Sequence, residues 1–199
     1  MKINWNSQEL EFMPIDLIFK SSNLENIFAD KNNNSLGETI EHKRYLKFKE
    51  RVQNSYSDFL EWELGRFLHR LKSLDDRFYM NFLNKNGDKV YSNFYIDDKN
   101  YLNSKGLYAY FVGDEVKYIG RCRDSFKKRI NQGYGKIHPK NCYLDGQSTN
   151  CHLNNLVTLN KDQVKFCVYP MENVDEIVLL EEALIRELKP QWNIALNRL

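Results

Sequence analysis

The stretch Gly106-Leu107-Tyr108-Ala109-Tyr110-Phe111-Val112-Gly113-Asp114-Glu115-Val116-Lys117-Tyr118-Ile119-Gly120 decides how the chain is read. Two short runs rich in β-formers, Leu107–Val112 and Val116–Gly120, flank Gly113-Asp114-Glu115, the pattern of a tight hairpin with a three-residue loop. If Val112 pairs with Val116, Tyr110 faces Tyr118 and Tyr108 faces Gly120. Side chains alternate with a period of two, so Tyr108, Tyr110 and Tyr118 then share one sheet face, with a gap at Gly120 beside Tyr108. Phenols around such a gap suit a phosphate or a water; they also suit an ordinary tyrosine-rich sheet face. A two-residue loop would reverse the parity of one strand and break the arrangement.

Downstream, Asp124-Ser125 can cap a short helix that places Phe126 and Ile130 on one side. The polar stretch from about Asn131 to Asn160 reads as a long loop, followed by a third strand at Val164–Tyr169. A helix from about Asp175 to Lys189 is stopped by Pro190. At about 100° per residue from Ile177, Leu180, Leu184, Leu188 and Ile185 form an apolar arc, and Glu181 falls inside it at about 40°. A carboxylate on a core-facing stripe is costly unless it pairs with a cation, binds metal or stays protonated. Glu181 therefore needs a partner, either an arginine in a structural ion pair or a divalent metal ion.

Upstream, the polar run Lys31-Asn32-Asn33-Asn34-Ser35 marks a break, and Ser35 with Glu38 has the spacing of a capping box. Val52, Tyr56, Phe59, Leu60, Leu64, Phe67, Leu68 and Leu71 recur at helical spacing, which predicts one long helix or two over about Glu38–Leu74. The stripe is wide enough to pack within the chain or against a second subunit. Asn86-Gly87-Asp88 reads as a hairpin turn between Tyr79–Leu83 and Val90–Ile96. These readings divide the chain into a helix-rich N-terminal region, 1–100, and a second domain, 101–199.

The 199 residues are 42% hydrophobic, enough to bury a core, so global disorder is not expected. No apolar run is long enough to span a membrane and no signal-peptide pattern is present, so a soluble, cytoplasmic protein is expected. Cys122, Cys142, Cys151 and Cys167 form no paired zinc pattern and read as buried thiols in a reducing compartment. The formal net charge is only +2, but its distribution is uneven. Between Lys117 and Lys140 the basic residues are Lys117, Arg121, Arg123, Lys127, Lys128, Arg129, Lys136 and Lys140, and Asp124 alone is acidic. Such a cluster suits nucleic acid, or is a solvated face.

Gly106-Leu107-Tyr108, Tyr118-Ile119-Gly120, an arginine nine positions later, a core-facing glutamate and Pro190-Gln191-Trp192-Asn193 form an ordered set. The set resembles the GIY-YIG nuclease superfamily. Leu179-Leu180-Glu181-Glu182-Ala183-Leu184-Ile185-Arg186, then Pro190 and Asn193, resembles in particular the incision subunit of bacterial nucleotide excision repair. The resemblance covers about Gly106–Leu196. It implies an α+β (mixed α/β) fold with a small three-stranded antiparallel sheet flanked by helices and an active site on one sheet face.

The resemblance also implies a site. Tyr108 and Tyr118 match its two tyrosines, Arg129 its arginine, Glu181 its single metal-binding carboxylate and Asn193 its supporting asparagine. Members often carry a Tyr or His four residues beyond the arginine; here that position is Gly133, and Tyr134 is the nearest match. The implied chemistry is DNA endonuclease cleavage with Mg2+ or Mn2+ on Glu181, Arg129 on the phosphate oxygens, Tyr108 on the attacking water and Tyr118 on the nucleophile or phosphate. Its products carry 5′-phosphate and 3′-hydroxyl ends. Nearby cations would have to lower the ordinary phenol pKa for Tyr108 to act as a base.

His152, in the polar stretch Asp145–Asn155, is an accessory candidate, and Lys117, Arg121, Arg123, Lys127, Lys128, Lys136 and Lys140 are the candidate DNA contacts. A restriction or defence role is the first expectation. A repair or mobile-element nuclease on branched or single-stranded DNA, a non-cleaving nucleic-acid-binding module and a helix-built interaction protein stand beside it, with homodimerisation through the N-terminal helices as a further option.

Overall fold

The structure, a computed structural model, describes residues 1–194. Along the chain the regular elements are β1 (Lys2–Trp5), β2 (Gln8–Glu11), β3 (Met13–Ile15), β4 (Ile18–Leu24), α1 (Leu36–Ile40), α2 (Lys49–Ser55), α3 (Leu64–Ser73) and β5 (Tyr91–Tyr95). They continue with β6 (Gly106–Val112), β7 (Glu115–Cys122), α4 (Phe126–Arg129), α5 (Ser148–Leu159), β8 (Val164–Pro170) and α6 (Val174–Leu188). Two compact units result, interleaved in sequence rather than divided near residue 100. One contains Met1–Ser22, Ser92–Lys136 and the chain from Leu156; the other contains Asn23–Tyr91 and Ile137–Asn155.

The first unit is built on an antiparallel sheet of order β3-β8-β6-β7. The three strands expected from the sequence are joined by a fourth, β3, from the N-terminal region. Pro14 pairs with Cys167 in that strand, which lies at the edge of the sheet, where proline is tolerated. The first 24 residues are therefore strands, not helix. In β1–β2 the turn residues Asn6 and Ser7 both have positive φ, 46° and 62°, the geometry of a two-residue hairpin turn. One sheet face, carrying Leu107, Ala109, Phe111, Ile119 and Cys167, forms a core with Ile3, Leu10 and Phe12 and with Ile177, Leu184 and Ile185 of α6. The helix expected at Asp175–Lys189 thus forms, capped by the Asn173 side chain on the N–H groups of Asp175 and Glu176.

The β6–β7 hairpin differs from the expected one in a way that leaves its consequence intact. Val112 pairs with Glu115, so the loop has two residues, Gly113 and Asp114, and Gly113 takes φ 61°. Two residues further in, Tyr110 pairs with Tyr118 while Phe111 pairs with Val116, leaving Lys117 as an extra, bulged residue. The shorter loop reverses the parity of β7 and the bulge restores it. Tyr108 therefore still faces Gly120.

The second unit encloses its own core, including Phe28, Leu36, Val52, Leu64, Phe67, Leu68, Leu71, Phe78, Phe82, Tyr91 and Tyr143. The one long helix or two expected over about Glu38–Leu74 are instead three, α1, α2 and α3, with tight 3-10 turns at Leu46–Phe48 and Ser57–Phe59. The Ser35–Glu38 capping box is present, with Ser35 N donating to Glu38 Oε2 at 2.8 Å and Glu38 N to Ser35 Oγ at 3.1 Å. The breaks let aromatic rings close around one another, as in the stack of Tyr56 on Phe78 at 5.2 Å, and backbone bonds from Leu36 to Trp62 and Gly37 to Leu60 hold the fold-back. Of the two places open to the apolar stripe, within the chain or against a second subunit, it takes the first and is buried in this core. Tyr79–Leu83 is not a hairpin strand; Arg77–Phe82 is a 3-10 turn capped by Asp76, and β5 pairs with β4.

Within the stretch read as a loop, α5 forms despite its poor helix formers, because Cys151, Leu153 and Val157 are buried and tertiary packing outweighs propensity.

Gly106 and Gly113 test the hairpin geometry separately. A Cβ on Gly106 would lie 2.2 Å from the Tyr169 carbonyl oxygen at φ 141°, whereas one on Gly113 would meet nothing within 4 Å. Gly106→Ala is expected to cost about 2–4 kcal/mol in urea unfolding, and Gly113→Ala only about 1 kcal/mol. Equal losses would contradict the register.

Candidate active site

The sheet face opposite α6 carries the phenols. Tyr108 and Tyr118 stack with centroids 6.0 Å apart, and Tyr110 meets both rings edge-on. Gly120 is required by contact rather than by backbone conformation: a Cβ there would sit 2.4 Å from Tyr108 Cζ and 2.5 Å from its hydroxyl. The gap expected beside Tyr108 is thus filled by the Tyr108 ring itself. Tyr110 is fully buried and its hydroxyl has no hydrogen-bond partner among the described residues.

Ser125 caps α4 by accepting from the Lys128 N–H at 3.2 Å, and Arg129 ends that helix. The chain then widens into a π turn over Ile130–Tyr134, closed by Gly135 N donating to Ile130 O at 2.7 Å. Asn131 pins the turn by pairing its side chain with both N and O of Ile96, each at 2.9 Å. One extra residue in the turn brings Tyr134 to a place that an α-helix would give to Gly133. Tyr134 lies 6.2 Å from Tyr108 and 6.5 Å from Tyr118 between ring centroids, its hydroxyl is 3.5 Å from that of Tyr118, and the Arg129 guanidinium lies 5.9 Å from its ring. The sequence did contain a weak signal for this, since Gly133 weakens an ordinary helical turn.

Glu181 lies on the inner arc of α6, with its side chain 12% exposed. Arg121 Nη1 reaches Glu181 Oε2 at 2.7 Å and Glu182 Oε1 at 3.6 Å. Burial pushes the Glu181 carboxyl above the ordinary carboxylate range, while Arg121 and, more weakly, Arg129 pull it back. Tyr118 feels the Glu181 charge in turn. Arg121, read from the sequence as a DNA contact, is thus the partner Glu181 needs in the free chain.

Asn193 closes the outer edge of β7. Its Oδ1 accepts from Ile119 N at 3.0 Å, its Nδ2 donates to Ile119 O at 2.7 Å, and Trp192 N donates to Lys117 O at 2.8 Å. Pro190–Asn193 thereby satisfies edge groups of the strand that carries Tyr118.

Burial raises the pKa of Tyr108 well above that of a free phenol, and Tyr118 and Tyr134 add to the rise while Arg129 opposes it. Tyr118 is raised in the same way, chiefly by burial. The lowered phenol expected of a base is therefore not a property of the free chain; both hydroxyls are protonated and act as hydrogen-bond groups.

Two other candidate DNA contacts are committed elsewhere. Lys117 pairs with Glu115 at 2.7 Å and donates to Gln191, and Lys128 pairs with Asp124 at 2.8 Å. Arg123, Lys127, Lys136 and Lys140 are exposed, the last in the second unit. His152 is part of α5 and belongs to the second unit. All four cysteines are buried, with Cys142 and Cys151 side by side in that unit's core. Among the described residues no group of three or more His, Cys, Asp and Glu side chains could hold a metal ion. A single-carboxylate site does not need one: Mg2+ is held by one or two carboxylates together with water and phosphate oxygens. Glu181 fits such a role by chemistry and by partial exposure, provided that Arg121 yields its place. No helix among the described residues is long and apolar enough to cross a membrane.

Phenols on one sheet face, an arginine beside them and a half-buried glutamate on the last helix are the parts that the GIY-YIG resemblance implies. The UvrABC system protein C of Flavobacterium johnsoniae is 32% identical over 96 residues, 48% of this chain and 14% of that protein. That of Helicobacter acinonychis is 34% identical over 102 residues, 50% and 16% of the two chains, and that of Helicobacter pylori (strain P12) is 35% identical over 102 residues, with the same coverage. Half of the chain is thus homologous to UvrABC system protein C, which bears out the superfamily resemblance for that part. The chain spans only 14–16% of the length of these relatives. No family model and no solved structure matches it.

Because Asn193 makes two bonds to one residue, Asn193→Asp is expected to be worse than the loss of one hydrogen bond. The carboxylate faces the Ile119 carbonyl, and an unfolding free-energy loss of about 2–4 kcal/mol should appear. A loss within about 0.5 kcal/mol would show that the clamp is dispensable. Glu181→Gln should behave in the opposite way. A carboxyl whose folded pKa is raised contributes stability below the unfolded value and loses it as pH rises through the folded value. At pH 7.5 the Gln variant should therefore melt at the same or a higher temperature than the natural chain, and a large fall in Tm would contradict the burial cost.

Proposed function

We propose that the protein is a divalent-metal-dependent DNA endonuclease that hydrolyses phosphodiester bonds at the Tyr108, Tyr118, Arg129 and Glu181 site. The observation that carries this reading is the restored register of β6–β7. It sets Tyr108 and Tyr118 on one face with Tyr134 and Arg129 beside them, while Glu181 of α6 is in contact with Arg121, three residues beyond Tyr118 on the same strand. The homology to UvrABC system protein C favours repair, on branched or single-stranded DNA, over restriction or defence.

In this reading Glu181 would hold a Mg2+ or Mn2+ ion, which would supply Lewis-acid polarisation of the scissile phosphate and stabilisation of the leaving 3′ oxygen. Arg129 neutralises the non-bridging oxygens. The Tyr108 hydroxyl, protonated in the free chain, orients the attacking water. Tyr118, linked to Tyr134, hydrogen-bonds the nucleophile or phosphate. Asn193 keeps Ile119, and with it the neighbouring Tyr118, in place through its clamp on β7. Exposed Arg123, Lys127 and Lys136 bind the flanking backbone. The products carry 5′-phosphate and 3′-hydroxyl ends.

The test is incubation of the full chain with plasmid, linear duplex, branched and single-stranded DNA and Mg2+ or Mn2+, followed by mapping of the cut ends. Cleavage should require metal, and Glu181→Gln should lower it by at least about 10³-fold while DNA binding in a gel shift persists. Undiminished cleavage by the Gln variant would remove Glu181 from the site.

A further inference from the structure

Arg121 follows the Tyr118-Ile119-Gly120 run and, by strand alternation, shares the face of Ile119, which α6 covers. Its guanidinium makes the shortest contact of Glu181, at 2.7 Å, and a longer one of 3.6 Å to Glu182. A divalent ion on the same carboxylate would be repelled by a full positive charge a few ångströms away. Guanidinium and metal therefore compete. The arrangement gives the guanidinium somewhere to go, because Glu182 is a third exposed and is itself steadied by Arg186 at 3.7 Å. The Arg121 side chain is also a third exposed, so it is not locked in the core. Arginine, with its planar fork, is suited to exchange a carboxylate for a phosphate.

We propose that Arg121 is an exchangeable counter-ion: it occupies Glu181 in the free chain and is transferred to a DNA phosphate when a divalent ion takes the carboxylate. This rests on the metal-binding role of Glu181. It makes metal and DNA bind cooperatively, since each helps to separate the ion pair that the other must also break. A nuclease so arranged holds metal weakly until substrate arrives.

The experiment measures Mn2+ binding to the full chain by calorimetry, without DNA, for the natural protein, Arg121→Gln, Glu181→Gln and the double variant. Arg121→Gln is expected to tighten Mn2+ on the order of ten-fold, a figure discounted for the exposure of the pair. Glu181→Gln should abolish that binding in both backgrounds. With an uncleavable phosphorothioate duplex present, Mn2+ should bind the natural chain more tightly than without DNA, and this gain should shrink in Arg121→Gln. Unchanged or weaker Mn2+ binding by Arg121→Gln, or an undiminished gain, would overturn the exchange. Mn2+ binding that survives Glu181→Gln would instead overturn the metal reading beneath it. Should Arg121→Gln not fold, Arg121→Lys keeps the charge without the fork, and its affinity should lie no more than a few-fold from the natural chain while the DNA-linked gain falls; a full gain would again overturn the exchange.

Discussion

The site depends on one extra residue in β7. A hairpin with a two-residue turn between Val112 and Glu115 would, in regular pairing, turn every side chain of the inner half of β7 to the wrong face. The bulge at Lys117 inserts one more position and turns them back, so that Tyr118 lies beside Tyr108 and Ile119 lies in the α6 core. Lys117 is held by its own contacts, an ion pair to Glu115 and a backbone bond from Trp192. The bulge, the edge clamp from Asn193 and the ring of Tyr108 over Gly120 thus reinforce one another within a few residues.

Burial then sets the chemistry. The phenols lie in the interior of their unit and keep their protons, while Arg129 and the Arg121–Glu181 pair remain partly open to solvent. Charge and hydrogen-bonding capacity are therefore layered, neutral donors beneath and ionised groups nearer the surface. A phosphodiester backbone is recognised through such ionised groups, and the expense of burying Glu181 is offset in part by the Arg121 guanidinium.

Much of this was legible in the sequence, and the failures have physical causes. Period-two alternation gave the shared face of Tyr108, Tyr110 and Tyr118, and the 3.6-residue period of α6 gave the inward position of Glu181. The loop length was misread, because turn type and bulge compensate one another and leave the hydrophobic pattern unchanged. Tyr134 was only a doubtful match because a π turn shifts it by one residue, and the neighbouring Gly133, a poor helix former, is a weak signal of such a turn. The N-terminal strands were missed because they are three to seven residues long, below the length at which alternation stands out, and the Asn6-Ser7 turn lacks glycine. The broken helices and α5 show tertiary burial overriding local signals: aromatic packing fragments one element and creates another from asparagine-rich sequence. Seven basic residues were read as one surface, yet Lys117 and Lys128 are tied to the sequence neighbours Glu115 and Asp124, and Arg121 to Glu181, which comes close only in the fold.

The central claim is that Glu181 is the metal-binding carboxylate of a site shared with Tyr118 and Arg129. Anomalous scattering from crystals of the full chain soaked in Mn2+ tests it most directly. The account requires a peak about 2.0–2.3 Å from a Glu181 carboxylate oxygen, with the Arg121 guanidinium displaced from its contact. Mn2+ bound elsewhere, with Arg121 still on Glu181 at saturating metal, would contradict it.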